Sequence, residues 1–407
     1  MKLTNEEQKT YKTYGNVLWR FFAGASIFVG LAILYHVLVK AGNGYHIPRE
    51  SEIPDLEKTG QFGDFVGGVI GTFFSLAGVF LLYLTLNKQT ASFSRERFEN
   101  NFFELLKLHR DNVAEMSYTK HNSQSGVFSQ SKNRKVFRVI YREFTECYKE
   151  LKAYTSTEDL NSLLTDSYKA DLNNIKNSIN DDLDIIELAL IDITYSIIFF
   201  GVGQEGAAIL KNRFEGKYNS DFTNGVIRYF QCKPKKENVS DFNSWEQLQN
   251  YSYQYLQEII KGVLTADTID ENVEEDYFNS VGSFIYRLFL IKNKYKYYDG
   301  HQHRLGHYFR HLFQCYKFIN SNNSLLEEEK YYYGKTLRAQ LSTYEQVLLF
   351  INSVSTLGMK WELLPEDDKN ESRMITFYHL IKNVAGDNIE GIKYADYYPN
   401  VNYEADE

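Results

Sequence analysis

Two long apolar segments stand out in the first quarter of the chain. Nineteen residues without a formal charge, FFAGASIFVGLAILYHVLV, lie between Arg20 and Lys40. A second run of twenty-two uncharged residues, FVGGVIGTFFSLAGVFLLYLTL, extends from Phe65 to Leu86. At 1.5 Å per residue, a helix made from the first segment is ~29 Å long, which matches the ~30 Å hydrocarbon core of a bilayer. The pattern therefore predicts two membrane-spanning helices.

We place these spans at residues 17–39 and 65–86, joined by a short extracytoplasmic loop at 40–64, so that residues 1–90 form a membrane anchor. A cleaved signal peptide is the alternative for the first span. However, its apolar stretch is too long for a signal peptide, no A-x-A cleavage site follows, and a second span comes soon after.

Positively charged residues indicate the orientation of the predicted hairpin, because cytoplasmic flanks of membrane helices carry an excess of Lys and Arg. Each outer flank has four such residues and the intervening loop has three: Lys2, Lys9, Lys12 and Arg20 before the first span, Lys88, Arg95, Arg97 and Lys107 after the second, and Lys40, Arg49 and Lys58 between them. We therefore expect both termini to be cytoplasmic.

A stripe of small residues marks the second span. Gly63, Gly67 and Gly71 recur at every fourth position, and Ser75 continues the row. Small side chains let helix backbones approach closely in lipid. The stripe therefore predicts a packing surface, either between the two spans or between copies of the chain in a homo-oligomer.

The remaining residues, 91–407, have the pattern of a large helical cytoplasmic domain. Apolar residues recur at helical spacing after Arg97 and after Ser342, and no alternation is long enough to indicate a large sheet. Polar loops are predicted near 120–135 and 217–244. The predicted fold class is mainly α: an N-terminal two-helix transmembrane hairpin followed by this domain.

One further apolar run, from Leu183 to Phe200, raises the question of a third membrane span. The run contains three carboxylates, which leave its uninterrupted apolar part too short to cross a bilayer: Asp184, Glu187 and Asp192. We interpret it as a buried core helix.

Composition excludes some classes of function. The net charge of −8 argues against a DNA-binding surface, because there is no basic excess to release counterions. The three cysteines, Cys147, Cys232 and Cys315, are far apart and odd in number. They fit neither a disulfide framework nor paired zinc knuckles, so a reducing compartment is expected.

Gly201, Gly203 and Gly206 form a G-x-G-x-x-G motif, with Asp221 further along the chain. A dinucleotide site needs a strand before these glycines, and the preceding run is helical in pattern. We therefore interpret the glycines as a helix end and predict no bound cofactor.

The densest group of chemically active side chains is HQHRLGHYFRHLF, residues 301–313. Arg304, His307 and His311 fall on one side of a predicted helix. Arg304 and His311, supported by His307, match the R-x4–6-H spacing of HEPN-type RNases, which would make them catalytic. Histidines four residues apart could instead bind a metal, but we find no nearby carboxylate or cysteine to complete the set. The third interpretation, a structural polar face, is favoured, so no metal is predicted, and any enzymatic activity would be that of a metal-independent RNase.

Four segments together resemble the AbiC-like phage abortive infection family of bacterial membrane proteins. They are QFGDFVGGVIGTFFSLAGVFLLYLTL at 61–86, RFENNFFELLKLH at 97–109, HYFRHLFQCYKFI at 307–319 and LRAQLSTYEQVLLFIN at 337–352. The region 120–280 is only weakly similar. The resemblance implies a role in bacterial defence, in which infected cells die or arrest before phage matures, and it transfers no catalytic residue.

These observations lead to one expectation and two alternatives. We expect a multi-pass antiphage protein of the bacterial inner membrane, whose cytoplasmic domain senses infection or acts as the toxic effector, with membrane perturbation as the effect. Its expected partners are the lipid bilayer, other copies of the chain and an unidentified phage or host trigger. The alternatives are a membrane-tethered RNase that uses Arg304 and His311, and a membrane signalling or scaffold protein unrelated to phage.

Overall fold

The chain in the computed structural model divides into two compact units, Met1–Phe103 and Glu104–Glu407. The predicted domain boundary at residue 90 lies inside the first of them. The structure describes residues 5–42, 56–122, 127–156, 163–265, 285, 287–290, 296–363 and 373–404. Within these ranges the fold is mainly helical, as predicted.

The first unit contains the two apolar segments. Helix α1 spans Asn5–Gly42, α2 spans Leu56–Phe65, a π-helical turn follows at Val66–Ile70, and α3 spans Gly71–Glu115. Part of the predicted loop at 40–64 is therefore helical, because α1 continues to Gly42 and α2 begins at Leu56; the intervening residues 43–55 lie outside the described ranges.

Both apolar segments are long and apolar enough to cross a membrane: Val17–Lys40, and Thr59–Glu115 with its apolar first part. Their large apolar side chains are mostly exposed, for example Phe28 at 72% and Val79 at 60%. The core helix of a soluble protein would bury such side chains. Contiguous exposed apolar surface of this kind marks a site of contact with a membrane or another protein.

The two apolar helices touch along a narrow seam. Trp19 on α1 packs against Phe80 and Tyr83 on α3, with ring centroids 5.4 and 4.9 Å apart. Further along α1, Gly30 approaches Phe73 so closely that an added Cβ would lie 3.2 Å from the Phe73 Cβ. The order of these contacts is that of antiparallel helices. Small or buried side chains at helical spacing line the seam: Ala23 and Ser26 on one side, Ile70, Ala77 and Leu84 on the other.

The second unit is an assembly of helices with two short β-hairpins. Strands β1 (Ser117–Asn122) and β2 (Val127–Lys132) pair antiparallel, with Ser117 opposite Lys132. The helices that follow are α4 (Lys135–Tyr154), α5 (Asp166–Ile179), α6 (Ile185–Phe200), α7 (Gln204–Phe214), α8 (Ser220–Cys232), α9 (Val239–Leu248), α10 (Tyr253–Thr265), α11 (Gln302–Asn320), α12 (Glu327–Arg338) and α13 (Thr343–Val354). A 3₁₀ turn at Met359–Trp361, α14 (Met374–Phe377), strands β3 (Asn388–Ile389) and β4 (Ile392–Lys393), and α15 (Tyr394–Tyr397) complete it.

Helices α6 and α13 form the core of this unit. Every residue of α6 from Leu188 to Phe199 is buried, as is every residue of α13 from Glu345 to Val354. A helix that is apolar on all sides must be covered on all sides, and α6 packs against both α4 and α13. The prediction of a buried core helix at Leu183–Phe200 is confirmed.

The two predicted polar loops are wrong in part. The region 120–135 includes most of the β1–β2 hairpin, while residues 123–126 lie outside the described ranges. The region 217–244 contains α8 and the first part of α9. Asn219 caps α8 by accepting a hydrogen bond from the Asp221 amide, and the apolar residues of α8 lie on one buried side. A short amphipathic helix with many polar residues on its open side has the average composition of a loop.

Close backbone packing at the end of α6 positions the start of α11. Helix α6 ends at Gly201, which has a φ of 75°, so the predicted helix end is confirmed. Gly300 has a φ of 86°, and an added Cβ would lie 2.7 Å from the Phe200 carbonyl carbon. The backbones also exchange hydrogen bonds, from Val202 N to Tyr298 O and from His301 N to Ile198 O. Only glycine permits this approach, which fixes residues 298–301 on the end of α6.

Candidate functional site around helix α11

Helix α11 presents two polar surfaces. Arg304, Tyr308, His311 and Cys315 follow one another at helical spacing, and their side chains contact β1, α13 and the end of α3. His303, His307, Arg310 and Gln314 form an adjacent, exposed row. His307 therefore lies apart from the more buried Arg304 and His311, although the sequence spacing places all three on one side of the helix.

Arg304 ties α11 to β1 and to its own N-terminal turn. Its Nε donates to the Ser117 carbonyl oxygen at 2.9 Å, and one terminal nitrogen lies 3.1 Å from Nδ1 of His301. The guanidinium carbon lies 4.9 Å from the centre of the Tyr118 ring. Burial lowers the pKa of Arg304, while Tyr118 and Glu143 oppose that effect.

His301 continues this chain of contacts into the interior. Its Nε2 lies 2.7 Å from Oε2 of Glu143, and both side chains are buried. Arginine can only donate, so Nδ1 of His301 accepts from Arg304 and Nε2 carries the proton that it donates to Glu143. The Tyr118 hydroxyl donates to the other oxygen of Glu143 at 2.9 Å, and burial together with Glu143 raises the pKa of Tyr118.

Glu143 is the first of three carboxylates along one side of α4, followed by Glu146 and Glu150. The ammonium group of Lys233, which is 1% exposed, lies 2.6 Å from an oxygen of each of the latter two. The remaining oxygens accept hydrogen bonds from tyrosine hydroxyls: Tyr297 donates to Glu146 at 2.7 Å, and Tyr298 donates to Glu150 at 3.1 Å. We call this set of carboxylates and partners the carboxylate row.

The environments of Glu146 and Glu150 differ. Burial alone raises the pKa of Glu146, but the adjacent Lys233 and the Tyr297 hydroxyl lower it below the ordinary value. Burial raises the pKa of Glu150, which Lys233 offsets only in part. The sequence analysis missed the carboxylate row, although the spacing of three and four residues between its acids was a signal that they share one helix face.

His311 contacts the end of α3. Its Nε2 lies 3.1 Å from the Leu105 carbonyl oxygen, and the Sγ of Cys315 lies 3.4 Å from the same nitrogen. The expectation that no cysteine lies near the histidines of this helix is therefore wrong, because Cys315 is next to His311, one helical turn along α11. The ring also stacks on His109, with centroids 6.2 Å apart. In the part of the chain that the structure describes, no group of three His, Cys, Asp or Glu residues is arranged to hold a metal ion.

His109 is buried, and neither ring nitrogen has a hydrogen-bond partner among the described residues. Burial is the largest effect on this imidazole, followed by repulsion from His311 and Arg134, and together they lower its pKa to about 4. His109 is therefore neutral at physiological pH.

The two predicted catalytic residues have separate surroundings. Seven residues along a helix correspond to a rise of ~10 Å between Arg304 and His311. Arg304 is bound to Ser117 and His301, whereas His311 is bound to Leu105. These hydrogen bonds agree with a structural role for both residues, and the RNase assignment stays a prediction.

Residues 300–389 match a family model described as "Putative phage abortive infection protein". This segment is AbiC-like. The match supports the resemblance found at 307–319 and 337–352, and it includes α11, α12 and α13. No curated protein and no solved structure matches the chain significantly.

Proposed function

We propose that the protein is a membrane-anchored phage abortive infection protein of the bacterial inner membrane. The family match over residues 300–389 is the observation that carries the defence role. The AbiC-like segment includes α11 and lies entirely within the second unit, so we assign the response to infection to that unit.

The anchor is the second part of the proposal. The exposed apolar surfaces of Val17–Lys40 and of the first part of Thr59–Glu115 support insertion of both helices into a bilayer. The distribution of Lys and Arg around them favours cytoplasmic termini. The three cysteines are buried free thiols, which agrees with a reducing compartment for the second unit.

The effector step is the third part of the proposal. After a phage or host component binds the second unit, the anchors assemble and perturb the membrane. The surroundings of Gly63 and Gly67 support assembly, because an added Cβ at either position would meet nothing within 4 Å in the described chain. The structural hydrogen bonds of Arg304 and His311 favour this non-enzymatic mechanism over RNA cleavage.

The experiment uses the full chain expressed in a phage-sensitive bacterium. During infection we expect fewer plaques and a loss of membrane potential while cellular RNA stays intact. Val79→Arg places a charge on the exposed surface of the apolar helix, where a central charge costs about 2.5–3.5 kcal/mol of insertion free energy. We expect this variant to lose insertion of its second span and to lose protection.

The matched control is Val239→Arg, which makes the same change at an exposed valine of α9. It should keep both membrane association and protection. RNA degradation without depolarisation would contradict the proposed effector and favour the RNase. Normal plaque numbers with correctly inserted protein would contradict the defence role and favour a signalling or scaffold protein.

A further inference from the structure

A cleft of about 750 Å³ opens beside α11, on the exposed row that contains His303, His307 and Arg310. The end of α6 contributes Phe200 to the opposite wall, and the 3₁₀ turn contributes Lys360. Its volume lies within the ~300–1,000 Å³ typical of small-molecule sites. The cleft does not include Arg304 or His311 among its lining residues.

The described lining of the cleft carries more positively than negatively charged side chains, although the net charge of the chain is −8. Arg310 and Lys360 are exposed, and neither has a carboxylate partner among the described residues. Asp299 is the one carboxylate among the described lining residues, and Lys235 already binds it at 2.9 Å. The first turn of α11 also borders the cleft, and helix N-termini favour anions.

Aromatic side chains form the other part of the lining. Phe313 is half-buried, and the Lys360 ammonium lies 5.1 Å from its ring centre. Trp361 packs edge-to-face on Phe313 with centroids 5.0 Å apart, and its indole nitrogen donates to Asn352 at 3.2 Å. This hydrogen bond holds Trp361 in place, so the aromatic wall is preorganised.

We propose that this cleft binds a nucleotide. Arginine and lysine bind phosphate oxygens, and bases stack on aromatic rings, so Arg310 and Lys360 hold the phosphates and Phe313 contacts the base. The concave shape and the acidic net charge favour a mononucleotide over a nucleic-acid polymer. The inference goes beyond the proposed function, since it concerns binding by the purified protein and not protection.

The test is calorimetric titration of the purified full-length protein in detergent, with EDTA present because the described lining offers no unpaired carboxylate for a metal. The probes are the four common ribonucleoside triphosphates, adenosine, inorganic phosphate and a short oligoribonucleotide. At least one triphosphate should bind, and adenosine and inorganic phosphate should each bind at least tenfold more weakly.

Three variants locate the binding. Arg310→Glu should weaken triphosphate binding ~10–100-fold, the usual effect of losing a charged hydrogen bond. Arg142→Glu makes the same charge change at an exposed arginine of α4 outside the cleft and should leave binding unchanged. Phe313→Leu should weaken triphosphate binding and leave phosphate binding unaltered, with thermal melting confirming that each variant is folded.

The proposal is overturned if folded wild-type protein binds no triphosphate up to ~1 mM, or if the two arginine variants lose the same triphosphate affinity. It is also overturned if inorganic phosphate binds as tightly as a triphosphate, or if the oligoribonucleotide binds more tightly than a triphosphate. None of these results bears on protection against phage, so failure of this inference is distinguishable from failure of the proposed function.

Discussion

Lys233 is almost completely buried, and its ammonium group is shared between Glu146 and Glu150. Removing charges from water costs several kcal/mol per ion, which excellent geometry and further hydrogen bonds can offset. Tyr297 and Tyr298 supply those further hydrogen bonds. The carboxylate row thus connects α4 to the end of α8 and to residues 297–301, which lead directly into α11.

His311 distinguishes a structural from a catalytic interpretation of α11. If its role is structural, His311→Ala removes the hydrogen bond to the Leu105 carbonyl and costs roughly 1–3 kcal/mol of unfolding free energy. Protection against phage should then fall together with the melting temperature. His307→Ala is the matched control, because His307 is exposed and three to four residues from both candidates; neither quantity should change.

A stable His311→Ala protein that no longer protects, in cells whose RNA escapes cleavage, would contradict the structural interpretation. It would instead support a general base at His311 and a cationic Arg304, since loss of one acid–base group lowers a rate ~10²–10⁴-fold while the fold remains intact. Melting temperature, plaque number and RNA integrity must therefore be measured on the same variant.

His109 should make the second unit sensitive to acid. Its pKa is about 4 in the folded protein and 6.5 in a free imidazole, so the unfolded chain binds the proton first as pH falls. The contribution of the neutral imidazole to the free energy of unfolding is fully present above pH 6.5. It decreases by about 3 kcal/mol as the pH falls to 4. Urea unfolding at several pH values should show this loss in wild type and not in His109→Phe, which keeps a ring at the position. Parallel pH profiles for both proteins would contradict the assignment.

The sequence predicts that Arg304 and His311 share a helix side, but not that His307 lies in the exposed row, nor what these side chains contact. Arg304 finds its partner at Ser117, 187 positions away, and His311 finds Leu105, 206 positions away. Spacing along a helix determines only the direction in which each side chain points. Its hydrogen-bond partners depend on how elements distant in sequence pack against the helix. The carboxylate row was missed for the same reason, since its cation, Lys233, comes from a distant position just after α8.

At the scale of elements, helices were predictable where apolar periodicity was strong and ambiguous where it was weak. The run at Leu183–Phe200 is mainly apolar, and its three acids leave too short an apolar stretch for a membrane span, which favoured a buried core helix. Helix α8 was missed because polar residues and Gly225 interrupt its apolar pattern, and because its cap, Asn219, is a residue that is equally common in loops. Strands β1 and β2 were missed because hairpin pairing in polar sequence depends on local turn geometry, which composition does not reveal.

The glycine stripe, which runs from α2 through the π-helical turn into α3, gives a prediction at this scale. Gly67→Leu adds bulk where the described chain leaves open space, so it should leave the seam between α1 and α3 intact and block close packing between copies. Gly68→Leu is the control, since Gly68 is equally open but points about a quarter turn away. Cross-linking in membranes should show a loss of oligomer in the first variant alone. Identical cross-linking in both variants and wild type would show that the stripe has no role in packing between copies and reflects the ordinary glycine content of membrane helices.

At the scale of the whole molecule, the charge distribution predicts the membrane topology. Positions between Glu50 and Lys58 should face outside, and residues 91–407 should face the cytoplasm, because positive residues are concentrated on the outer flanks of the two spans. Reporter fusions at residues 52 and 120 should report opposite sides of the membrane. The same side for both would exclude a two-span hairpin.

The carboxylate row also has a consequence for the order in which the protein is made. Glu143 and its partner His301 are separated by 158 positions, and Glu146 and Tyr297 by 151. At ~5–20 residues per second, roughly 8–30 s pass between translation of these acids on α4 and translation of His301 and Tyr297, which complete their hydrogen bonds. Until then the nascent α4 has to keep these carboxylates in water. The second unit can therefore close around its core only once residue 301 has left the ribosome, well after both apolar helices have been synthesised.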